Sequence, residues 1–274
     1  MQVRDVVGET IDMNEVFVRQ VFCSQHYRGS FAHVRLCTCF CEFNDDENLQ
    51  SIAASNAAAA TVFVLLKAGG AHLIRWFSPF SEIQLCGHGT LAAADVLFTT
   101  LNTSQDTLRF QSASHLICVE KEASGNYKML LSSIKLRSIA LWSNVFNIFG
   151  EKVCRLEHTE SDDGYFVAQL PNRGRLPSFD FDVAKYCQLT RRALLVTAQD
   201  IEQPNTLYFR YFAPQYGVKE DPATGSVAPI LAAFWQLPFN QVFNCYQMSP
   251  QGAFYQISRN KDQVCVLANV RASC

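Results

Sequence analysis

Two homologous α+β lobes are the architecture this sequence predicts, on three observations. Arg75-Trp76-Phe77-Ser78-Pro79 returns as Arg210-Tyr211-Phe212-Ala213-Pro214, offset by 135 positions. At the same offset Cys86-Gly87-His88-Gly89-Thr90 lies against Asp221-Pro222-Ala223-Thr224-Gly225-Ser226, with one residue inserted to bring Gly89-Thr90 onto Gly225-Ser226. Both copies then run into apolar, alanine-rich segments that end in aromatics, Phe98 in one and Phe234-Trp235 in the other. A repeat of this length marks a duplicated structural unit.

The elements follow in order. Val16 to Phe22 and His33 to Phe43 read as strands, the second from alternating apolar residues, with a turn at Arg28-Gly29-Ser30 between them. Asn44 to Ala57 reads as a helix, with Asp45 or Asp46 at the cap and Leu49, Ile52 and Ala53 at helical spacing; Phe181 to Leu189 is its shorter counterpart. Thr61 to Leu66 and Leu194 to Thr197 are β-rich apolar runs, and His72 to Phe77 and Thr206 to Phe212 are the strands after them. Each half thus reads helix, strand, strand, helix. The expected boundary lies near Ser112 to His115, giving an N-terminal lobe 1–114, completed by a last strand within 263–274, and a C-terminal lobe 115–262.

Composition narrows the function classes. The chain has 274 residues, 49% of them hydrophobic, enough for a substantial core and incompatible with disorder. With 18% charged residues and a formal net charge of −2 there is no basic surplus for a phosphate backbone, so no nucleic-acid partner is expected. No run reaches ~18 apolar residues, which predicts no membrane span. The first thirty residues carry Asp5, Glu9, Asp12 and Glu15 and lack a secretory apolar region, so a cytoplasmic location is expected and the sequon Asn102-Thr103-Ser104 is discounted. For the eleven cysteines, an odd number, free thiols are expected, with Cys37, Cys39 and Cys41 sharing one strand face. Paired metal-ligand spacing and a dinucleotide fingerprint are both missing, so neither metal nor nucleotide cofactor is expected.

The repeated motif carries the candidate chemistry. A strand, a Pro loop and then Gly-Thr or Gly-Ser opening an Ala-rich helix presents unpaired backbone N–H groups, which attract anions. Gly lets the backbone approach a ligand closely, and the Thr90 or Ser226 hydroxyl either caps the helix or donates to the ligand. Two copies facing one inter-lobe cleft would hold a carboxylate. His88 and Asp221 stand at matching points ahead of the two helices, each a titratable group suited to handing over a proton; a structural hydrogen bond for His88 and a turn role for Asp221 are the plainer alternatives. Cys86 beside a helix start is either a thiolate base or an inert buried thiol.

The same residues carry a resemblance. Arg75 to Pro79 leading to Leu85-Cys86-Gly87-His88-Gly89-Thr90-Leu91-Ala92-Ala93-Ala94, and Arg210 to Pro214 leading to Glu220-Asp221-Pro222-Ala223-Thr224-Gly225-Ser226, are similar to the PhzF phenazine-biosynthesis-like family, which has the diaminopimelate epimerase fold. Weaker echoes are Arg28-Gly29 and Gln247-Met248-Ser249-Pro250-Gln251-Gly252. The resemblance implies two pseudo-symmetric lobes, each a curved, mostly antiparallel sheet or barrel around a central helix, an active site in the cleft, and a homodimer. It implies a cofactor-independent isomerase or epimerase acting on a small carboxylic acid. Carried over by motif, His88, Asp221 and Ser226 support the proton transfer, and Cys86, Gly87, Gly89, Thr90, Thr224 and Gly225 contact the substrate. The family's proton-shuttling Glu stands in N-L-S-E-T-A-F-V, here Ala57-Ala58-Ala59-Ala60-Thr61-Val62-Phe63-Val64, so Ala60 occupies the catalytic position and impaired activity is expected. A two-cysteine epimerase mechanism lacks its second thiol, since only Cys86 matches. Ser30-Phe31, Gln251 and Ala253 also depart from the family pattern, which leaves the substrate open. The alternative is a catalytically silent relative that binds a small carboxylate or a protein partner in the cleft.

Overall fold

The computed structural model describes residues 15–56, 58–100, 105–139, 148–149 and 153–273. Asp5, Glu9, Asp12, the sequon and Ala57 lie outside them. Chain packing divides the protein into one unit of Met1–Leu131 with Val266–Cys274 and a second of Ser132–Cys265. The first unit by packing thus takes in Val266–Cys274 and runs on past Ser112 to His115. Ser112 to His115 is a hairpin turn, closed by Ser112 N–H on His115 O at 2.9 Å, and the strands on either side of it pair with each other.

In the first unit β1 (Phe17–Val21) and β2 (Ser30–Cys37) form an antiparallel pair, with Val21 opposite Ser30. Gly29 between them has φ +68°, and a Cβ there would lie 2.1 Å from Val21 O, so the turn admits only glycine. Next come α1 (Phe40–Phe43) and α2 (Asp46–Ser55), the latter capped by the Asp45 carboxylate on Asn48 N–H. Then β3 (Ala60–Leu65) runs parallel to β2, and β4 (His72–Phe77) pairs antiparallel with β3. After β5 (Glu82–Ile83) the 14-residue helix α3 (Gly87–Thr100) is buried from Gly87 to Phe98. The hairpin β6 (Thr107–Gln111) and β7 (Leu116–Lys121) follows, then β8 (Tyr127–Ser132). The terminal strand Val270–Ala272 pairs with β1.

Pleating sorts β3 into two faces. Phe63 and Leu65 join Phe77, Phe43, Leu49 and Ala53 in a cluster under α1 and α2, while Val62 faces α3. Asp95 on α3 anchors the helix: it takes an ion pair from buried Arg19 on β1 and a hydrogen bond from the Tyr127 hydroxyl at 2.7 Å.

The second unit repeats this order. After β9 (Leu136–Ser138) and β10 (Arg155–Thr159), β11 (Tyr165–Gln169) runs parallel to β12 (Ala193–Gln199) as β2 does to β3. Helix α4 (Val183–Leu189), capped by Asp182, lies between them in sequence, and β13 (Thr206–Phe212) pairs antiparallel with β12. Helix α5 (Ala228–Phe234) is followed by β14 (Phe243–Gln247) and β15 (Ala253–Arg259). Phe63 pairs with Arg75 in the first unit and Val196 with Arg210 in the second, so the sequence repeat is a repeat of register.

One strand prediction is corrected. The run His33 to Phe43 does not continue as a strand past Cys37, because Cys39 turns the chain as the cap of α1, its sulfur accepting Glu42 N–H at 3.3 Å. Cys37, Cys39 and Cys41 therefore do not share a strand face, and Cys39 and Cys41 are disulfide-bonded rather than free. Among the described residues no helix is long and apolar enough to cross a membrane.

Candidate active site

Both motif loops are built on the same device, an arginine held by a glutamate. In the first unit Arg75 Nε and Nη2 donate to the two Glu82 oxygens at 2.7 and 2.8 Å, Nη1 donates to Phe43 O, and the guanidinium lies 5.0 Å from the Phe77 ring centre. In the second, Arg210 Nε and Nη2 donate to Glu220 at 2.8 and 2.7 Å, Nη1 donates to Leu176 O and Phe179 O, and the Phe212 ring lies 4.8 Å away. Two parallel charge-assisted bonds fix angle as well as distance. Glu220 is the chain neighbour of Asp221, so this clamp sets where the aspartate begins.

In the first unit the loop delivers Cys86 as the cap of α3. Cys86 Sγ accepts Gly89 N–H at 3.4 Å and lies 3.4 Å from His88 Nδ1; both residues are about 5% exposed. This corrects the capping role given to Thr90. The helix has already started at Gly87, and the Thr90 hydroxyl donates back to Cys86 O at 2.8 Å, as a helical threonine does when buried. Gly89 faces the sheet: a Cβ there would stand 2.8 Å from Val62 Cγ2 and 2.9 Å from Trp76 Cδ1. Replacing Gly89 with Ala is therefore expected to cost about 1–3 kcal/mol by overpacking. The unfolding midpoint in urea reads it, and an unchanged midpoint would mean the helix start has slack.

Ala60 precedes Val62 by two on β3, so its methyl points to the same side of the sheet as the residue Gly89 touches. It is fully buried and sits opposite Ala32 on β2. Ser30, two positions before Ala32, shares that face, and its buried hydroxyl has no hydrogen-bond partner.

In the second unit Asp221 opens a loop locked from several sides. Its carboxylate accepts Ala223 N–H at 3.2 Å and the Thr224 hydroxyl at 2.7 Å, and its own N–H donates to Tyr211 O. Gln247, fully buried, accepts Thr224 N–H at 2.6 Å and donates to Asp221 O. Ser249 donates to Pro222 O at 2.6 Å and Tyr255 to Thr224 O at 3.0 Å. Tyr165 packs against Tyr211 with ring centres 6.0 Å apart, and burial raises the pKa of both phenols; Ser226 lies beside Tyr165. The second helix start is corrected too. Gly225 and Ser226 lie in a turn and α5 begins only at Ala228, with Pro229 in its first turn, so Gly225-Ser226 opens no helix.

The structure thus brings Ala60, Cys86, Gly87, His88, Gly89 and Thr90 onto one unit, and Asp221, Thr224, Gly225 and Ser226 into one loop of the other. Sequence reasoning missed Gln247, Tyr255, Tyr165 and Tyr211 as supports. The stretch beginning at Gln247 was the one signal, and nothing marked Tyr165. Among the described residues no group of three His, Cys, Asp or Glu side chains is placed to hold a metal.

A repeated mixed unit of this kind, mostly strands with few helices, is a diaminopimelate epimerase-like fold. The family profile described as "Phenazine biosynthesis-like protein" matches residues 20–264, and the chain belongs to that PhzC/PhzF family. An uncharacterized isomerase of Pseudomonas aeruginosa is 33% identical over 191 residues, covering 70% of this chain and 71% of the relative. A crystal structure of a PhzF-family protein from Enterococcus faecalis superimposes with a TM-score of 0.79 at 25% identity, covering 95% of this chain and 98% of that one. A hydroxyproline epimerase from Agrobacterium vitis, crystallised with trans-4-hydroxy-L-proline, has the same fold at a TM-score of 0.59 and 9% identity, covering 96% and 92%.

Proposed function

We propose that this protein is a cofactor-independent isomerase that moves a proton on a small carboxylic acid, and that it is slow because position 60 carries a methyl group. The observation that supports the reading is that both motif loops are retained, with His88 against Cys86 Sγ at 3.4 Å in the first unit and Asp221 and Ser226 in one loop of the second, while position 60 carries no carboxylate. A thiol beside an imidazole can pass a proton between them, and the backbone N–H groups at the start of α3 suit a carboxylate. Homodimer assembly and a cytoplasmic location belong to the same reading.

A second reading, a silent carboxylate binder, draws on Asp221: both of its oxygens already hold loop hydrogen bonds. Solvent deuterium incorporation into a panel of small carboxylic acids separates the two. The isomerase reading expects slow but measurable label with the native chain, reduced roughly 10²-fold or more by His88→Gln or Asp221→Asn. Binding of an acid with no label washed into it, at any enzyme concentration, would leave the binder.

A further inference from the structure

We propose that Cys39 and Cys41 form a thiol–disulfide exchange site, separate from the isomerase motif, whose substrates are small anionic thiols. The two cysteines flank Phe40 and are bridged, with Cα atoms 5.5 Å apart. Among the described residues Cys23, Cys37, Cys118, Cys187 and Cys245 carry no bridge. A bridge across a single intervening residue closes a very short loop and removes little entropy from the unfolded chain, so cross-linking is a weak reason for it. Exposure gives a better one. Cys41 is exposed, Phe40 is half exposed, and Lys67 Nζ lies 4.1 Å from the Phe40 ring centre, which puts an apolar surface and a cation beside the bridge.

The two sulfurs are unequal, and this sets the direction of attack. Cys39 Sγ accepts Glu42 N–H at 3.3 Å, a donor placed to receive negative charge, whereas Cys41 stands open to solvent. An incoming thiolate attacks Cys41 Sγ. The Cys39–Cys41 bond breaks, its electron pair leaves on Cys39 Sγ, and a mixed disulfide joins Cys41 to the reagent. A second thiolate then attacks the reagent's sulfur and releases it as its own disulfide, with the electron pair on Cys41. The two thiols are oxidised, the protein pair is reduced, and the two protons the thiols gave up finish on Cys39 and Cys41. Cys37 does not compete as the attacking group. It is 2% exposed in the cluster beneath α1, and burial, reinforced by Glu42, pushes its thiol up to about 12.

The test is to equilibrate the native protein in glutathione buffers of increasing reduced-to-oxidised ratio, alkylate, and read the state of residues 37–41 by peptide mass. The proposal expects Cys39–Cys41 to open in millimolar reduced glutathione and to close again when oxidised glutathione is restored, with Cys37 unlabelled in the folded protein. The Cys39→Ser variant should accumulate a glutathione adduct on Cys41, and the Cys41→Ser variant far less on Cys39. A pair that stays closed in reduced glutathione, a pair that never closes in oxidised glutathione, or equal adduct on the two variants would each overturn it.

Discussion

Replacing Ala60 with Glu is expected to raise deuterium incorporation into the substrate acid by roughly 10²–10⁴-fold, the contribution of a positioned general acid–base group. The first residue of β3 is fully buried and points to the side of the sheet that bears the start of α3. A carboxyl there has Cys86 and His88 on the same unit and a buried, unpartnered Ser30 hydroxyl on the same face of β2. The larger side chain also crowds Ala32, so a stability loss of about 1–3 kcal/mol should accompany the gain. Ala60→Gln controls for this, because it fills the same space without a transferable proton and should gain nothing. Equal rates for the Glu and Gln variants would remove position 60 from the chemistry.

Replacing Asp95 with Ala is expected to be the most damaging change outside the motif loops, at about 3–5 kcal/mol, since it strands Arg19 in a site where both side chains are about 10% exposed. Asp95 also accepts the Tyr127 hydroxyl at 2.7 Å. Burial, aided by that carboxylate, raises the Tyr127 pKa above its ordinary value of 10.0, so the phenol's contribution is full below ~10 and is lost at higher pH. Asp95 sits on the helix that begins with Gly87 and His88, so a loosened helix would also blunt the site. Urea unfolding reads the effect, and a loss under ~1 kcal/mol would place the ion pair among the weak surface kind. Replacing Arg19 and Asp95 together with apolar residues should recover part of the loss, because no stranded charge remains.

Where apolar runs met the repeated motif, the sequence was explicit: the predicted bounds of β4 and β13, His72 to Phe77 and Thr206 to Phe212, are those observed. The duplication was legible because the Arg-x-Phe strands need the same glutamate clamp in each copy. The Cys-rich run misled because alternation from Cys37 to Cys41 looks like a pleat, whereas a sulfur cap and a local disulfide are three-dimensional events. The start of α5 misled because Gly-Ser before an Ala-rich stretch reads as a cap, while Gln247, Ser249 and Tyr255, more than twenty residues away, hold the loop outside the helix. Such latches depend on which strands become neighbours, and local pattern does not carry that information.

The most direct test of the account compares deuterium incorporation by Ala60→Glu alone with the same variant also carrying His88→Gln or Asp221→Asn. If the two motif loops and position 60 serve one proton transfer, each second substitution should erase most of the gain, roughly 10²-fold, with the folded fraction unchanged. A gain that survives loss of both His88 and Asp221 would contradict the assignment of the site.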